Sequence, residues 1–148
     1  MTYTYKYPRP ALTVDAVVFR KNESGWEVLL IERGNQPFKG MWALPGGFVD
    51  MDEDLKTAAK RELKEETGLR NVELRQLYTF GAIDRDPRHR TVSVVYWGIA
   101  EKTSSMVEGG DDAKQARWFP VENAPGLAFD HHEILKMAIA KLASQMRK

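Results

Sequence analysis

The sequence predicts an α/β fold, a sheet with helices on its faces, and three observations predict it. Strand-length runs of apolar and β-branched residues recur along the chain, two amphipathic helices stand out among and after them, and only short turn-forming clusters separate these segments. Leu12 to Phe19 and Val28 to Ile31 read as a hairpin, with Asn22, Ser24 and Gly25 between them as the turn. Val72 to Phe80 and Thr91 to Ala100 read as further strands. Val94, Val95, Tyr96 and Trp97 put bulky apolar side chains on both faces, as a central strand does. Ala116 to Phe119 reads as a short strand ended by Pro120. The first helix is predicted from about Asp52 to Thr67, with Asp50 and Glu53 spaced as a capping box and Gly68 as a left-handed stop. The second runs from His131 to near the C-terminus behind the same spacing at Asp130 and Glu133. Ile134, Leu135, Ala138, Ile139, Leu142 and Met146 form its single apolar stripe.

With 148 residues, 43% apolar and 29% charged, the chain is expected to form one domain, residues 1–148, with a core of its own. A net charge of +1 removes bulk attraction to a phosphate backbone, so no nucleic-acid partner is expected. No apolar run approaches the roughly 18 residues of a membrane span, and the N-terminus lacks the layout of a secretory signal, so a cytoplasmic protein with no membrane partner is expected. The absence of cysteine removes thiolate chemistry and leaves oxygen or imidazole as the ligands for any metal.

The first helix breaks its own pattern. At about 100° per residue, Leu55, Ala58, Ala59 and Leu63 share one face and Lys56, Lys60 and Lys64 the other. Glu62 and Glu66 then fall in the middle of the apolar face, with Glu65 at its edge. Unpaired buried carboxylates cost roughly several kcal/mol each, which calls for a cation. A hard divalent ion such as Mg²⁺ suits an all-oxygen set. A groove open to water, or basic side chains from elsewhere, would also account for the acids.

Gly46 and Gly47, behind Leu44 and Pro45, read as a strand-to-helix turn where backbone can approach a ligand closely. The stretch GFVDMDEDLKTAAKRELKEETGL, residues 47–69, closely resembles the Nudix box. Gly47, Glu53, Arg61, Glu62, Leu63, Glu65, Glu66, Gly68 and Leu69 fill its fixed positions. The resemblance implies a Nudix-type α/β/α sandwich with a central mixed β-sheet, and hydrolysis of a nucleoside-linked diphosphate with Mg²⁺ or Mn²⁺. It also implies Glu62, Glu65 and Glu66 as metal ligands, Arg61 orienting them by ion pairing, and Glu53 supporting the site from the helix start. Backbone at Gly46 and Gly47 would come near the diphosphate. Relatives often take a general base from a later loop, which makes Glu108, Asp111 and Asp112 candidates.

Asp84 to Arg90 places Arg85, Arg88 and Arg90 in one connection, suited to forked contacts with phosphate oxygens or to a salt-bridged turn. The phrases GAIDRDPRHRTVSVVYWG, residues 81–98, and FDHHEIL, residues 129–135, look like those of ADP-ribose pyrophosphatases and of ADP-ribose-binding domains in Nudix-related regulators. The resemblance therefore points to conversion of ADP-ribose to AMP and ribose 5-phosphate. Arg85 or Arg88 would hold phosphate or ribose, Phe38, Trp42 or Phe80 would stack on adenine, and His131 or His132 would frame the pocket. The alternatives are a nucleoside triphosphate or other nucleotide-sugar hydrolase, and a non-catalytic sensor of ADP-ribose. Against the sensor stand the complete set of box acids and the end of the sequence at Lys148, directly after the terminal helix, so that no winged helix is expected. Tyr3, Tyr5 and Tyr7 alternate before Pro8 and Pro10 like an edge strand that covers its own sheet or a partner's, and a homodimer is expected.

Overall fold

A computed structural model describes residues 2–101, 107, 109–110 and 113–147. In chain order these form β1 (Ala11–Asn22), β2 (Gly25–Arg33), β3 (Trp42–Ala43), β4 (Gly46–Phe48), α1 (Leu55–Thr67), β5 (Arg75–Phe80), β6 (Thr91–Ile99), β7 (Ala113–Pro120), a single 3-10 turn (Val121–Asn123) and α2 (His131–Met146). The strands make one mixed sheet in the order β3-β2-β1-β6-β5, with β4 paired to β1 and β7 to β2. β6 runs parallel to β1, and the other pairings are antiparallel.

Strand alternation divides the core between two faces. Val14, Ala16 and Val18 of β1 join Val94 and Tyr96 of β6 against Ala58, Ala59 and Leu63 of α1. Val17 and Phe19 join Val95 and Trp97 against Ile134, Leu135, Ala138 and Leu142 of α2. The helices thus cover opposite faces, and the architecture is the α/β/α sandwich with a central mixed sheet. No helix among the described residues is long and apolar enough to cross a membrane.

β1 and β2 stay paired only near their hairpin, from Phe19↔Val28 to Asn22↔Gly25. Farther along they part, and the segment between them fills the fork. β3 pairs with β2 at Ile31↔Ala43, and β4 pairs with β1 at Val14↔Gly47. Gly46 and Gly47 are therefore strand residues, where a turn was expected. Gly46 packs so tightly on Asp15 and on the Val14 carbonyl that a Cβ there would collide with both.

Other boundaries also differ from the sequence reading. α1 starts at Leu55 behind Asp54, because the Asp50–Glu53 pair closes the preceding turn: the Asp50 N–H donates to Glu53 Oε1 at 2.9 Å. At α2, Asp130 occupies the N-cap position without capping by its side chain, since its carboxylate is taken by Arg85. β5 begins at Arg75; Val72 and Leu74 are buried but lie outside the ladder. β7 starts earlier, at Ala113, and includes Pro120. The Tyr3–Tyr7 segment is no strand. Pro8 and Pro10 cannot donate to a ladder, and the Arg9 guanidinium instead stacks 3.8 Å from the centre of the Tyr5 ring.

Candidate active site

The fork between β1 and β2 opens into a cavity of about 350 Å³ bounded by α1, the β5–β6 connection and the start of α2. Glu62, Glu66 and Arg61 line it from α1, Gly46 to Phe48 from β4, Asp15 from β1, Arg85, Asp86 and Arg88 from the connection, and Phe129 and His131 from the approach to α2.

On the α1 side Arg61 is the hub. Its Nε and Nη2 donate to the two oxygens of Glu53 at 2.9 and 2.6 Å. Nη1 donates to Glu62 at 2.8 Å and to Glu65 at 3.0 Å, and Nη2 also reaches the Phe48 carbonyl at 3.1 Å. This forked geometry is strong because every bond is charge-assisted. The hydrogen bonds from Arg61, and then from the Asp50 N–H, hold the Glu53 carboxyl at a pKa of about 2, and the same Glu53 contacts push Arg61 upward from an already high value. Glu66, only 5% exposed, accepts from the Gly46 N–H at 2.7 Å. Gly47 faces Glu62: a Cβ there would lie 2.6 Å from the carboxyl carbon.

A basic side chain does pair with the acids, and it comes from the same helix. Among the described residues no three His, Asp or Glu side chains stand grouped as metal ligands, because Glu62 and Glu65 lean on Arg61 and Glu66 on β4. The donor chemistry still suits a hard cation: two carboxylates of one helix share a cavity wall, and every candidate ligand atom is an oxygen.

The opposite wall differs from the sequence reading. The Arg85 side chain is only 5% exposed and donates through Nε and Nη2 to both oxygens of Asp130 at 2.9 and 2.7 Å, so its fork is already filled by a protein carboxylate. Arg88 donates to both oxygens of Asp86 at 3.1 and 2.8 Å. Burial pushes the Asp86 carboxyl up, but the Arg88 bonds and charge outweigh it and leave Asp86 below its usual range. The Arg88 guanidinium also lies 5.7 and 5.8 Å from the centres of the Phe48 and Phe129 rings.

Phe80 is not part of this cavity; it packs on the α2 side of the sheet and edge-on to Tyr78. Trp42 packs on Phe119, and Phe38 meets Phe129 edge to face at 4.8 Å. The aromatics in the cavity wall are Phe48 and Phe129, neither of which sequence reasoning singled out. Phe129 has φ of +55°, an uncommon backbone state for a bulky residue, which the Phe38 and His131 ring contacts accompany. His131 is buried and accepts the Leu44 N–H at Nδ1, 3.0 Å away. Glu108, Asp111 and Asp112 lie outside the described residues.

A carboxylate-bearing helix is set against a glycine strand at the mouth of a split mixed sheet, which is the arrangement the resemblance to the Nudix box implies. The chain belongs to the Nudix family and is a Nudix hydrolase: the family profile described as "NUDIX domain" matches residues 9–141. An ADP-ribose pyrophosphatase of Methanocaldococcus jannaschii is 44% identical over 130 residues, covering 88% of this chain and 73% of that protein. The ADPR responsive transcriptional repressor NtrR of Acinetobacter baylyi is 38% identical over 145 residues, but this chain spans only 58% of its length. The NUDIX domain of Shewanella oneidensis NrtR, solved with ADP ribose, superposes with a TM-score of 0.87 at 34% identity over 95% of this chain and 94% of that one.

Proposed function

We propose that this chain, as a single domain, hydrolyses ADP-ribose to AMP and ribose 5-phosphate. The observation that carries the reading is the meeting of the box carboxylates Glu62 and Glu66 with the glycine strand in one wall of a cavity whose other wall holds Arg88 and Phe129. The similarity to an ADP-ribose pyrophosphatase supports the choice of substrate. In the reaction one bridging P–O bond of the diphosphate is replaced by a P–O bond from water, and the departing phosphate oxygen leaves with its sugar.

Glu62, Glu65 and Glu66 would hold Mg²⁺ or Mn²⁺, which when bound supplies charge neutralisation at the diphosphate and acidifies water. Arg61 fixes the direction of Glu62 and Glu65, and Glu53 holds Arg61 in turn. The Gly46 N–H orients Glu66. Arg88, held by Asp86 beside two rings, is assigned to a phosphate or ribose oxygen, and Phe129 or Phe48 to the adenine face. Arg85 and His131 frame the pocket from behind. The proton of the attacking water is assigned to Glu108, Asp111 or Asp112. A cytoplasmic homodimer is part of the proposal; the exposed rings of Tyr3, Tyr5 and Tyr7 offer a surface for it, and light scattering that gives a mass near 17 kDa rejects it.

The test is product analysis of purified protein with ADP-ribose and Mg²⁺. AMP and ribose 5-phosphate in equal amounts, abolished by chelator, are expected. Pyrophosphate from triphosphates with ADP-ribose untouched would point to a triphosphatase. ADP-ribose bound but unchanged over hours would favour the sensing reading, which the repressor relative motivates.

A further inference from the structure

Three polar side chains are buried together on the α2 face of the sheet: Asp15 at 7% exposure, Ser93 at 0% and His131 at 5%. Strand alternation gives Asp15 the same facing as Val17 and Phe19, which pack on α2. A carboxylate in that row costs several kcal/mol unless its oxygens are satisfied. Among the described residues Ser93 Oγ donates to Oδ2 and no hydrogen bond is made to Oδ1, which is left to the cavity that Asp15 lines.

His131 Nε2 lies 3.7 Å from Oδ1, beyond hydrogen-bond distance. Because Nδ1 accepts from Leu44, a neutral His131 carries its proton on Nε2, on the side of Asp15. Burial holds the imidazole below its usual pKa, so at neutral pH it brings no counter-charge. The guanidiniums that act on His131 are committed elsewhere, Arg85 to Asp130 and Arg33 to the Pro37 carbonyl. Nor can β4 cover Oδ1 with a side chain, since the residue packed on it is Gly46. Asp15 lines the same cavity as Glu62 and Glu66.

We propose that Asp15 is a substrate-binding residue whose Oδ1 accepts a hydrogen bond from a ribose hydroxyl of the bound nucleotide. The inference rests on the ADP-ribose reading of this site and deepens it. An ionised carboxylate accepts and cannot donate, which excludes a phosphate oxygen as its partner. Gly46 joins the two regions, with its N–H on Glu66 and its Cα packed against Asp15. Asp15 therefore lies across Gly46 from Glu66, one of the acids assigned to the metal that would neutralise the diphosphate. The donors nearest a diphosphate are the ribose hydroxyls on either side of it, whereas the adenine amino group lies at the far end of the nucleoside. A carboxylate bonded to ribose hydroxyls is a recurrent solution in nucleotide sites.

The test measures equilibrium binding with Ca²⁺ in place of Mg²⁺ to slow turnover, using wild type, Asp15→Asn and Asp15→Ala, with thermal melting to confirm that each is folded. The ligands are ADP-ribose, ADP, which lacks the terminal ribose, and an ADP-ribose whose adenosine 2′- and 3′-hydroxyls are removed. Asp15→Asn is expected to weaken ADP-ribose binding by about tenfold to a hundredfold, the range for a lost charge-assisted bond. One truncated ligand should weaken wild-type binding to a similar degree and show no further loss with the variant, which identifies the ribose concerned. Losses that add for both truncated ligands, or no loss in either variant, overturn the inference. The two readings fail separately. Asp15-dependent binding without AMP formation would sink the hydrolase reading alone, and AMP formation by wild type with Asp15-independent binding would sink only this one.

Discussion

Gly47 and Glu62 occupy almost the same space: a methyl group on the glycine would lie 2.6 Å from the glutamate's carboxyl oxygen Oε1. Gly47→Ala must therefore displace Glu62 from its place beside Arg61, while the register with Val14 can persist. A shift near 1 Å in a catalytic group costs on the order of a hundredfold. That loss in kcat/KM for ADP-ribose is expected, together with a higher Mg²⁺ requirement; unchanged kinetics would show that Glu62 has no positional role.

Glu53 and Arg61 set a pH signature on stability. The folded carboxyl titrates at about 2, against 4.5 for the unconstrained group. A depressed carboxyl pKa means that the ionised form is favoured by folding. Its contribution is complete above about pH 5 and fades as pH falls through 4.5 toward 2. Melting of wild type and Glu53→Gln should thus differ by a constant amount from pH 6 to 8 and converge below pH 4.

Arg85 and Asp130 tie the β5–β6 connection to the first turn of α2, with Arg85 side-chain exposure of only 5%. Removing one partner of such a pair leaves an uncompensated charge, at a cost of about 3 kcal/mol. Arg85→Met should lower Tm by roughly 6–12 °C. The double variant Arg85→Met, Asp130→Asn should recover part of this. A melting point equal to wild type, with only KM raised, would instead return Arg85 to direct contact with substrate.

What sequence could and could not disclose follows from where the stabilising partners lie. The acids of α1 were visible because helical periodicity is local, and three glutamates on an apolar face are anomalous within two turns. β3 and β4 were invisible, because segments of two and three residues hold their shape only by pairing with β2 and β1. The arginines of residues 85–90 advertised anion binding, yet the anions they meet in this structure are Asp130 and Asp86. Asp130, spaced as a helix cap, was diverted by a residue 45 positions earlier. Asp15 carried a weak signal in sequence, as the one charged residue in the apolar run from Leu12 to Phe19. Its partner Ser93, 78 positions away, could be found only by folding the chain.

His131 provides a second pH test, independent of the box. Burial lowers its pKa below 6.5; Asp15 and Asp130 pull it back up without reversing the direction, and repulsion from Arg85 and Arg33 adds to the lowering. The folded state therefore prefers the neutral ring, and the unfolded state binds the proton more readily. Stability is retained above pH 6.5 and lost as pH falls below it, until the folded pKa is passed. The slope for one proton approaches about 1.4 kcal/mol per pH unit. His131→Asn retains an acceptor near Nδ1 for the Leu44 N–H but cannot titrate. Denaturant unfolding should show wild type losing stability relative to His131→Asn between pH 6.5 and 5. Parallel curves for wild type and His131→Asn would mean that the folded ring takes up its proton as readily as the unfolded one, and would overturn the lowering by burial.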